Sequence, residues 1–391
     1  MIDKLLLFPY WLSLKIRHYL YDKGIKTVHQ ADVPTICIGN VTVGGTGKTP
    51  HTEMLIRSML KDNTLGRKSI AVLSRGYKRK SKGFQQVTLD GTAAEYGDEP
   101  MQIKRKFPSI TVAVDKSRTQ GCDFLAHPEK LQTEKGGKKC VNKLLPPAEL
   151  IILDDAFQHR ALKPTLSLVL IDFNRPTFKD HLLPLGKLRD LPERVEKADV
   201  LIVTKCPYDL NSWQQCTWAD SLGIKGYNAQ ECCGTRADGK KQYLFFTSIA
   251  YDTPEAIFPE GDARYIYTKR AILFSGIAND TPMVRWLCGE DYKIVKRFNY
   301  PDHHQFSKSN IAAITSAAKN NPTAVIMTTE KDAQRIRDCK KLSDDVKQKM
   351  FYLPIKTLFI NEYEEDIFNV VMKTGLIGSD SESQPTPREW Y

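Results

Sequence analysis

One stretch constrains the fold more than any other: Gly39-Asn40-Val41-Thr42-Val43-Gly44-Gly45-Thr46-Gly47-Lys48-Thr49-Pro50. It follows the apolar run Thr35-Ile36-Cys37-Ile38 and precedes a helix-length stretch, Thr52 to Leu60. A glycine-rich turn between strand and helix lets backbone N–H groups face inward. It also aims the positive end of the helix at the same point, as a polyphosphate requires. In that setting Gly44, Gly45, Thr46 and Gly47 cradle the phosphates of a nucleotide. Lys48 reaches the β- and γ-phosphates, and the Thr49 hydroxyl faces a Mg2+ ion. Thr42 occupies the first glycine position of the plain G-x-x-x-x-G-K-[ST] pattern, and an ordinary Gly-rich turn is the competing reading.

Further short, nearly continuous apolar runs follow: Ser69–Leu73, Ile110–Val114, Leu150–Leu153, Leu166–Ile171 and Val200–Val203. Helix-length segments separate most of them. Continuous rather than alternating hydrophobicity predicts strands covered on both faces, and so a mostly parallel sheet. Ala271–Phe274, Thr323–Met327 and Phe351–Ile355 begin a second βα series. The expectation is an α/β chain: a P-loop NTPase-type, mostly parallel sheet, a second, smaller α/β lobe and an N-terminal amphipathic helix. The segments expected are 1–30 for the helix, 31–240 for the nucleotide lobe with an insertion near 127–147, 241–378 for the second lobe, and 379–391 for a disordered tail. Gln242–Ala250 and Arg264–Lys269 are expected to be extended, as a ribbon opening the second lobe.

Acidic residues at strand ends supply the next candidates. Glu149-Leu150-Ile151-Ile152-Leu153-Asp154-Asp155 is an apolar strand ending in two carboxylates, where such folds hold Mg2+. Asp154 is the primary candidate; Asp155 shares the metal through water or activates another group. In Gly97-Asp98-Glu99-Pro100, Asp98 reads either as a helix N-cap or as a catalytic carboxylate. In Pro301-Asp302-His303-His304, His303 reads either as a polar turn residue or as half of an acid–base dyad with Asp98. Ser74-Arg75-Gly76-Tyr77 follows a strand, where anionic ligands are often gripped. Arg118, Arg160 and Arg189 lie near other strand or loop ends, each a surface ion pair or a ligand contact.

The first 26 residues mix Leu, Trp, Tyr and Ile with Lys4, Lys15, Arg17, Lys23 and Lys26. Their longest uncharged run, Leu5 to Leu14, is ten residues, short of the ~20 a spanning helix needs. No small-residue cleavage site follows. The pattern suits either a helix in a lipid headgroup layer or one packed on the protein's own core. Pro9 starts or kinks it. The formal net charge of +11 over 391 residues fits an anionic partner, whether nucleic acid, lipid surface or phosphorylated substrate. No basic stretch carries the interleaved aromatics that single-stranded nucleic acid needs, so no nucleic-acid partner is expected. The nine cysteines form no CxxC pair and read as free thiols.

Taken together, Gly39–His51, Ser74–Tyr77, Gly97–Pro100, Asp154–Arg160, Pro184–Asp190, Ser275–Asn279, Pro301–Phe306 and Thr328–Asp332 resemble the tetraacyldisaccharide 4'-kinase (lipid A 4'-kinase) family, block by block and in order. The resemblance implies transfer of the γ-phosphoryl of ATP, with Mg2+, to the 4'-hydroxyl of a lipid-linked disaccharide 1-phosphate, giving lipid IVA. It implies Asp98 as catalytic base with His303 as its partner. It implies Arg75, Tyr77 and Arg118 as grips on substrate, and a peripheral site on the cytoplasmic face of the bacterial inner membrane. No obligate protein partner is expected. Ala156 departs from the glycine usual in the family's DDGFQH block. The competing class is a P-loop regulatory or metal-insertion NTPase. Its members often carry a further lysine where Val43 stands here.

Overall fold

The apolar runs become strands buried on both faces, because helices cover each side of the sheet they form. A computed structural model describes residues 2–132, 140, 145–339 and 342–377, with backbone only for 2–6. Much of the expected insertion and all of the expected tail at 379–391 lie outside the described residues.

Helix α1 (Ile2–Asp22) leads to β1 (Thr35–Gly39), α2 (Lys48–Lys61), β2 (Ile70–Ser74), α3 (Asp98–Lys106), β3 (Thr111–Val114) and α4 (Arg118–Ala126). Then come β4 (Leu150–Asp154), β5 (Leu166–Asp172), β6 (Val200–Thr204), α5 (Ser212–Ser221), β7 (Lys225–Asn228), β8 (Cys233–Thr235) and β9 (Lys241–Tyr251). The second lobe holds β10 (Arg270–Ser275), α6 (Thr281–Gly289), β11 (Lys293–Asn299), α7 (Lys308–Asn320), β12 (Val325–Thr329), α8 (Glu330–Arg337) and β13 (Met350–Leu353). Finally β14 (Ile355–Phe359) and α9 (Glu362–Ile377) return to the first lobe.

Among the described residues the large sheet has eleven strands in the order β7-β8-β9-β6-β5-β1-β4-β2-β3, with Gln85–Gln86 beyond β3 and β14 pairing β9. Strands β9 to β3 in that order run parallel. Strand β1 lies between β5 and β4, with Ile38 level with both Asp154 and Leu168. The carboxyl ends of β1, β4 and β2 are therefore neighbours, the place where open parallel sheets bind ligands. The smaller sheet has the order β13-β12-β10-β11, all parallel, with Glu255–Ala256 at its edge. Its carboxyl ends carry the turns at Gly276, at Pro301–His304 and at Thr329–Glu330.

Two expectations about segment boundaries change. Strand β9 was expected to open the second lobe, but it pairs with β6 from Tyr243 opposite Val200 to Phe246 opposite Val203. Phe245 and Phe246 are fully buried there, so burial assigns the strand to the first lobe. Helix α9 also packs on this core, through Phe368 and Met372 against Leu166 and Phe245. The second lobe thus begins after Tyr251 and ends near Leu353. Arg264–Lys269 was expected to be extended, but Ala263–Thr268 form a 3-10 turn in which the Asp262 side chain accepts from the Arg264 N–H, and Lys269 follows at φ 53°. Cys37, Cys122, Cys206, Cys216, Cys232, Cys233, Cys288 and Cys339 are free thiols.

Because α9 closes the first core, Phe368→Ala should cost about 3–5 kcal/mol. Denaturant unfolding followed by tryptophan fluorescence checks this. A loss below ~1 kcal/mol would mean α9 is a dispensable tail.

Candidate functional site

The phosphate loop closes through its own side chains. Gly47 stands at the N-cap of α2 with φ 86°, a conformation that costs glycine little. Asn40 is fully buried and donates from Nδ2 to the Thr46 hydroxyl at 2.7 Å. The Thr204 hydroxyl donates to the Thr46 carbonyl at 3.0 Å. His51 Nδ1 lies 2.7 Å from the Gly47 carbonyl, so Nδ1 carries the proton. Its Nε2, 2.9 Å from the Thr247 hydroxyl, is then the acceptor. Burial, with Lys205 adding to it, pushes His51 down to about 4. A turn spanning 182–188 backs the loop, with Val43 N–H donating to the Lys187 carbonyl at 2.7 Å.

Beside this loop stand the acids of β4. Asp154 is buried; its Oδ2 accepts from the Ser74 hydroxyl at 3.1 Å, while its Oδ1 has no hydrogen-bond partner. Burial first, then the Asp155 charge, pushes Asp154 up to about 6. An orphaned, buried carboxylate oxygen at the end of β4, within electrostatic reach of Lys48, is the kind of donor a hard divalent cation takes. Asp155 has the opposite environment. Burial acts to raise it, but Lys48 at 3.8 Å and the Arg189 guanidinium outweigh burial and hold it below the usual range. Arg189 also donates to Asn40 Oδ1 at 2.5 Å. Asp155 takes the left-handed φ of 49° in this turn, so Ala156 stands where no glycine is required.

The other half of the site is built across the lobes. Gly97 precedes α3 with φ 100° and ψ 157°, a region essentially restricted to glycine. A Cβ there would come within 3.3 Å of the Gly76 Cα. Asp98 therefore occupies the first helical position, not the cap, and its carboxylate faces the second lobe. Its Oδ2 accepts from Arg335 Nε at 3.0 Å and from Arg335 Nη2. His303 Nδ1 lies 3.5 Å away. Burial works to raise Asp98, yet His303 and Arg335 together hold it below the usual carboxylate range. Arg335 is buried and is itself fixed by the Gly276 carbonyl at 3.2 Å and Asp332 at 2.8 Å. His303 has φ 60°, and its backbone N–H is tied to the Gly276 carbonyl at 3.1 Å.

Two more ion pairs join α3 to α8. Lys331 meets Glu99 at 2.6 Å. Lys106 bridges Glu53 at 2.7 Å and Glu330 at 2.8 Å. Burial and the Glu53 charge push Glu330 up to about 7. The charge of Glu99 also reaches Asp154, and that of Lys331 reaches Lys48, so this clasp borders the phosphate loop.

Of the residues singled out in the sequence, Gly44 to Thr49, Asp154 and Asp155 meet at one end of the sheet, and Asp98 meets His303. The turn carrying Arg75 and Tyr77 lies against Gly97. Both side chains are exposed, and the Tyr77 ring packs edge-on against His303 at 5.4 Å. Arg118 differs from expectation. It is buried at 3% exposure and donates to the carbonyls of Asp115 at 2.8 Å and Asp154 at 3.0 Å. It braces the acidic turn from behind and has no open face for a substrate. Arg335, Lys331 and Glu99 were not singled out. Glu330-Lys331-Asp332 follows a strand end, as ligand-gripping residues do, and that was the available signal.

Comparison with known proteins points to one family. The family profile described as Tetraacyldisaccharide-1-P 4'-kinase matches residues 4–372. A tetraacyldisaccharide 4'-kinase of Parabacteroides distasonis is 36% identical over 377 residues, 94% of this chain and 92% of that protein. One from Flavobacterium psychrophilum is 37% identical over 376 residues, 93% and 96% of the two chains. The crystal structure of LpxK from Aquifex aeolicus in complex with ATP superposes with TM-score 0.64 at 24% identity, covering 95% of this chain and 99% of that one. This last likeness speaks to the fold.

The buried neutral His51 carries a pH signature. Its folded value of about 4 lies below its unfolded value of about 6.5. The folded state thus binds fewer protons between these limits, and stability present above about pH 6.5 is lost as pH falls through about 4. The loss should be on the order of 3 kcal/mol, measured by urea unfolding across that window. His51→Asn should flatten this slope; an unchanged slope would place the acid sensitivity elsewhere.

Proposed function

The chain belongs to the tetraacyldisaccharide 4'-kinase family, and from that premise we propose how its residues carry out the reaction. The enzyme is a phosphotransferase: it moves the γ-phosphoryl of ATP to the 4'-hydroxyl of tetraacyldisaccharide 1-phosphate, giving lipid IVA. A regulatory or metal-insertion NTPase is not favoured by this membership.

ATP is assigned to the loop Gly44–Thr49, with its β- and γ-phosphates toward Lys48. Burial lowers Lys48 and the Asp155 charge opposes that effect, with Lys48 Nζ 3.8 Å from Asp155 Oδ1, close to where the phosphates arrive. Mg2+ is assigned to Thr49 and Asp154, with Asp155 in support. When bound it neutralises charge on the phosphate oxygens. Support comes from the unpartnered buried Oδ1 of Asp154.

The observation that carries the mechanism is the clasp on Asp98. The contacts of Arg335 and His303 are all made to Oδ2, and Oδ1 is the oxygen we assign to the acceptor hydroxyl. An Asp held ionised accepts that proton only late, as the bond to phosphorus forms. Such timing suits a loose phosphoryl-transfer transition state, in which nucleophile activation matters less than position. Arg75 and Tyr77, exposed beside Gly97, are assigned to the anionic disaccharide head.

The acceptor is a lipid, and α1 is assigned to the membrane surface. Phe8, Trp11, Leu12, Ile16 and Tyr19 are exposed on one face of the helix. Lys15 lies over the Trp11 ring at 5.7 Å and Lys23 over the Tyr19 ring at 5.9 Å. An apolar face edged with basic groups fits an anionic headgroup layer. Among the described residues no helix is long and apolar enough to cross a membrane. The reading is peripheral docking, with the cytoplasmic face of the inner membrane as the proposed location.

Incubation of the purified protein with labelled ATP, Mg2+ and tetraacyldisaccharide 1-phosphate in detergent should give a doubly phosphorylated lipid. ATP consumed by water alone would overturn the residue assignments. Asp98→Asn should lower kcat by about 10²–10⁴-fold with little change in KM for ATP; near-normal turnover would remove the base assignment. Mg2+ should raise the melting temperature of the wild type and leave Asp154→Asn unmoved, and equal shifts would displace the metal from Asp154. Phe8→Gln with Ile16→Gln should weaken sedimentation with anionic liposomes; unchanged partitioning would remove α1 from the membrane.

A further inference from the structure

The inward face of α1 makes contacts that docking to a bilayer does not require. Leu14 and His18 are buried against the first lobe, and Leu7 and Tyr10 pack on the same core. His18 Nε2 lies 2.6 Å from Asp190 Oδ1. Arg160 Nη1 lies 3.1 Å from His18 Nδ1 and can only donate, so Nδ1 is the acceptor and Nε2–H points at Asp190. Asp190 is fully buried, and its second oxygen has no hydrogen-bond partner. Arg194 Nε lies 3.7 Å from that oxygen and the Leu191 N–H donates to Oδ1 at 2.9 Å, so His18 is one of three groups that hold this buried carboxylate. One helical turn away from Leu14, the Tyr10 hydroxyl donates to the carbonyl of Arg189 at 2.9 Å. Helix α1 therefore holds the Arg189–Asp190 pair at the Arg189 carbonyl and at the Asp190 side chain.

Arg189 is the residue whose guanidinium binds Asp155 and Asn40. Asn40 in turn holds the Thr46 hydroxyl in the phosphate loop, and Asp155 faces Lys48. A second line runs parallel to the first. Arg17 donates to the Gln158 carbonyl at 2.6 Å, and Gln158 donates to the Asn40 carbonyl at 2.5 Å. Both lines start on α1 and end on residues that shape the phosphate loop and its acids.

We infer that Tyr10 and His18 of the N-terminal helix are positioning residues for phosphoryl transfer. Tyr10 through the Arg189 carbonyl and His18 through Asp190 fix Arg189, which sets Asp155 against Lys48. The helix is thus part of the kinase machinery on one face while its other face is free for lipid. Contacts that orient a charged group in a site typically carry about 10–100-fold in activity when removed. This inference rests on the kinase reading above.

The test is the rate of lipid phosphorylation in detergent micelles, where bilayer docking plays no part. It is expressed per nucleotide site, counted by titration with a fluorescent ATP analogue. His18→Ala should lower kcat per site by about tenfold. His18→Gln, which keeps an N–H at the Nε2 position, should restore most of it. A His18→Ala rate within about twofold of wild type, or a loss that His18→Gln does not restore, would overturn the inference. If His18→Ala fails to fold, Tyr10→Phe decides. A fall of about threefold supports the inference, and an unchanged kcat per site overturns it. Wild-type protein that made no lipid product would instead remove the kinase reading itself.

Discussion

A buried guanidinium holds the two lobes in one arrangement. Arg335 has no access to water to satisfy its charge, so it must find acceptors in the protein. It finds them in both lobes at once: Asp98 from the first, Asp332 and the Gly276 carbonyl from the second. Each acceptor is itself fixed. Asp332 accepts from the Gly276 N–H at 2.9 Å and from the Thr329 hydroxyl at 2.7 Å, and Asp98 sits behind a glycine whose backbone few other residues could adopt. The surrounding pairs, Lys331 with Glu99 and Lys106 with Glu53 and Glu330, extend the same polar seam along α3 and α8. A polar, charged seam between lobes favours a hinged contact over a fused core. An enzyme that must admit ATP and a lipid headgroup, then exclude water, needs such a seam.

The seam also divides labour among carboxylates. Asp154 is desolvated with one oxygen unpartnered, so its ionised form is costly until a cation arrives. Asp155 and Asp98 are each matched to cationic partners and stay ionised. Carboxylates in one cleft, driven in opposite directions by their surroundings, are a physical basis for separate roles in holding metal and handling a proton. The phosphate loop adds a fixed scaffold. His51, neutral and buried, ties the Gly47 carbonyl to β9, so the loop's shape does not depend on a bound nucleotide alone.

Local chemistry made much of this legible in the sequence. The phosphate loop, its Lys48 and Thr49, and the acids ending β4 declare themselves because strand, glycine turn and charge lie within a dozen residues. The parallel sheet was legible because its strands are apolar on both faces. The lobe boundary was not. Strand β9 starts with Lys241-Gln242-Tyr243, a mixed pattern whose pairing with β6 depends on tertiary packing. Likewise β14 and α9 rejoin a core more than 100 residues behind them, which no local signal announces. Arg335 was hidden for a related reason. In Glu330-Lys331-Asp332-Ala333-Gln334-Arg335 it reads as one charge on a solvated helix, and only packing against α3 buries it. Arg118 misled in the opposite sense. Its place after a strand left ion pair and ligand contact open and the resemblance implied a grip on substrate, yet the fold turned it inward to brace a backbone.

The central claim is that Arg335, acting with His303, holds Asp98 ionised for proton acceptance in the transfer step. The most direct test is the pH dependence of the single-turnover rate of lipid phosphorylation in wild type and in Arg335→Gln. Removing the guanidinium leaves burial to dominate at Asp98 and raises its carboxyl. The account predicts that the acid limb of the profile moves to higher pH in Arg335→Gln, so that the variant loses rate first as the solution is acidified. Superimposable acid limbs in the two proteins would contradict it.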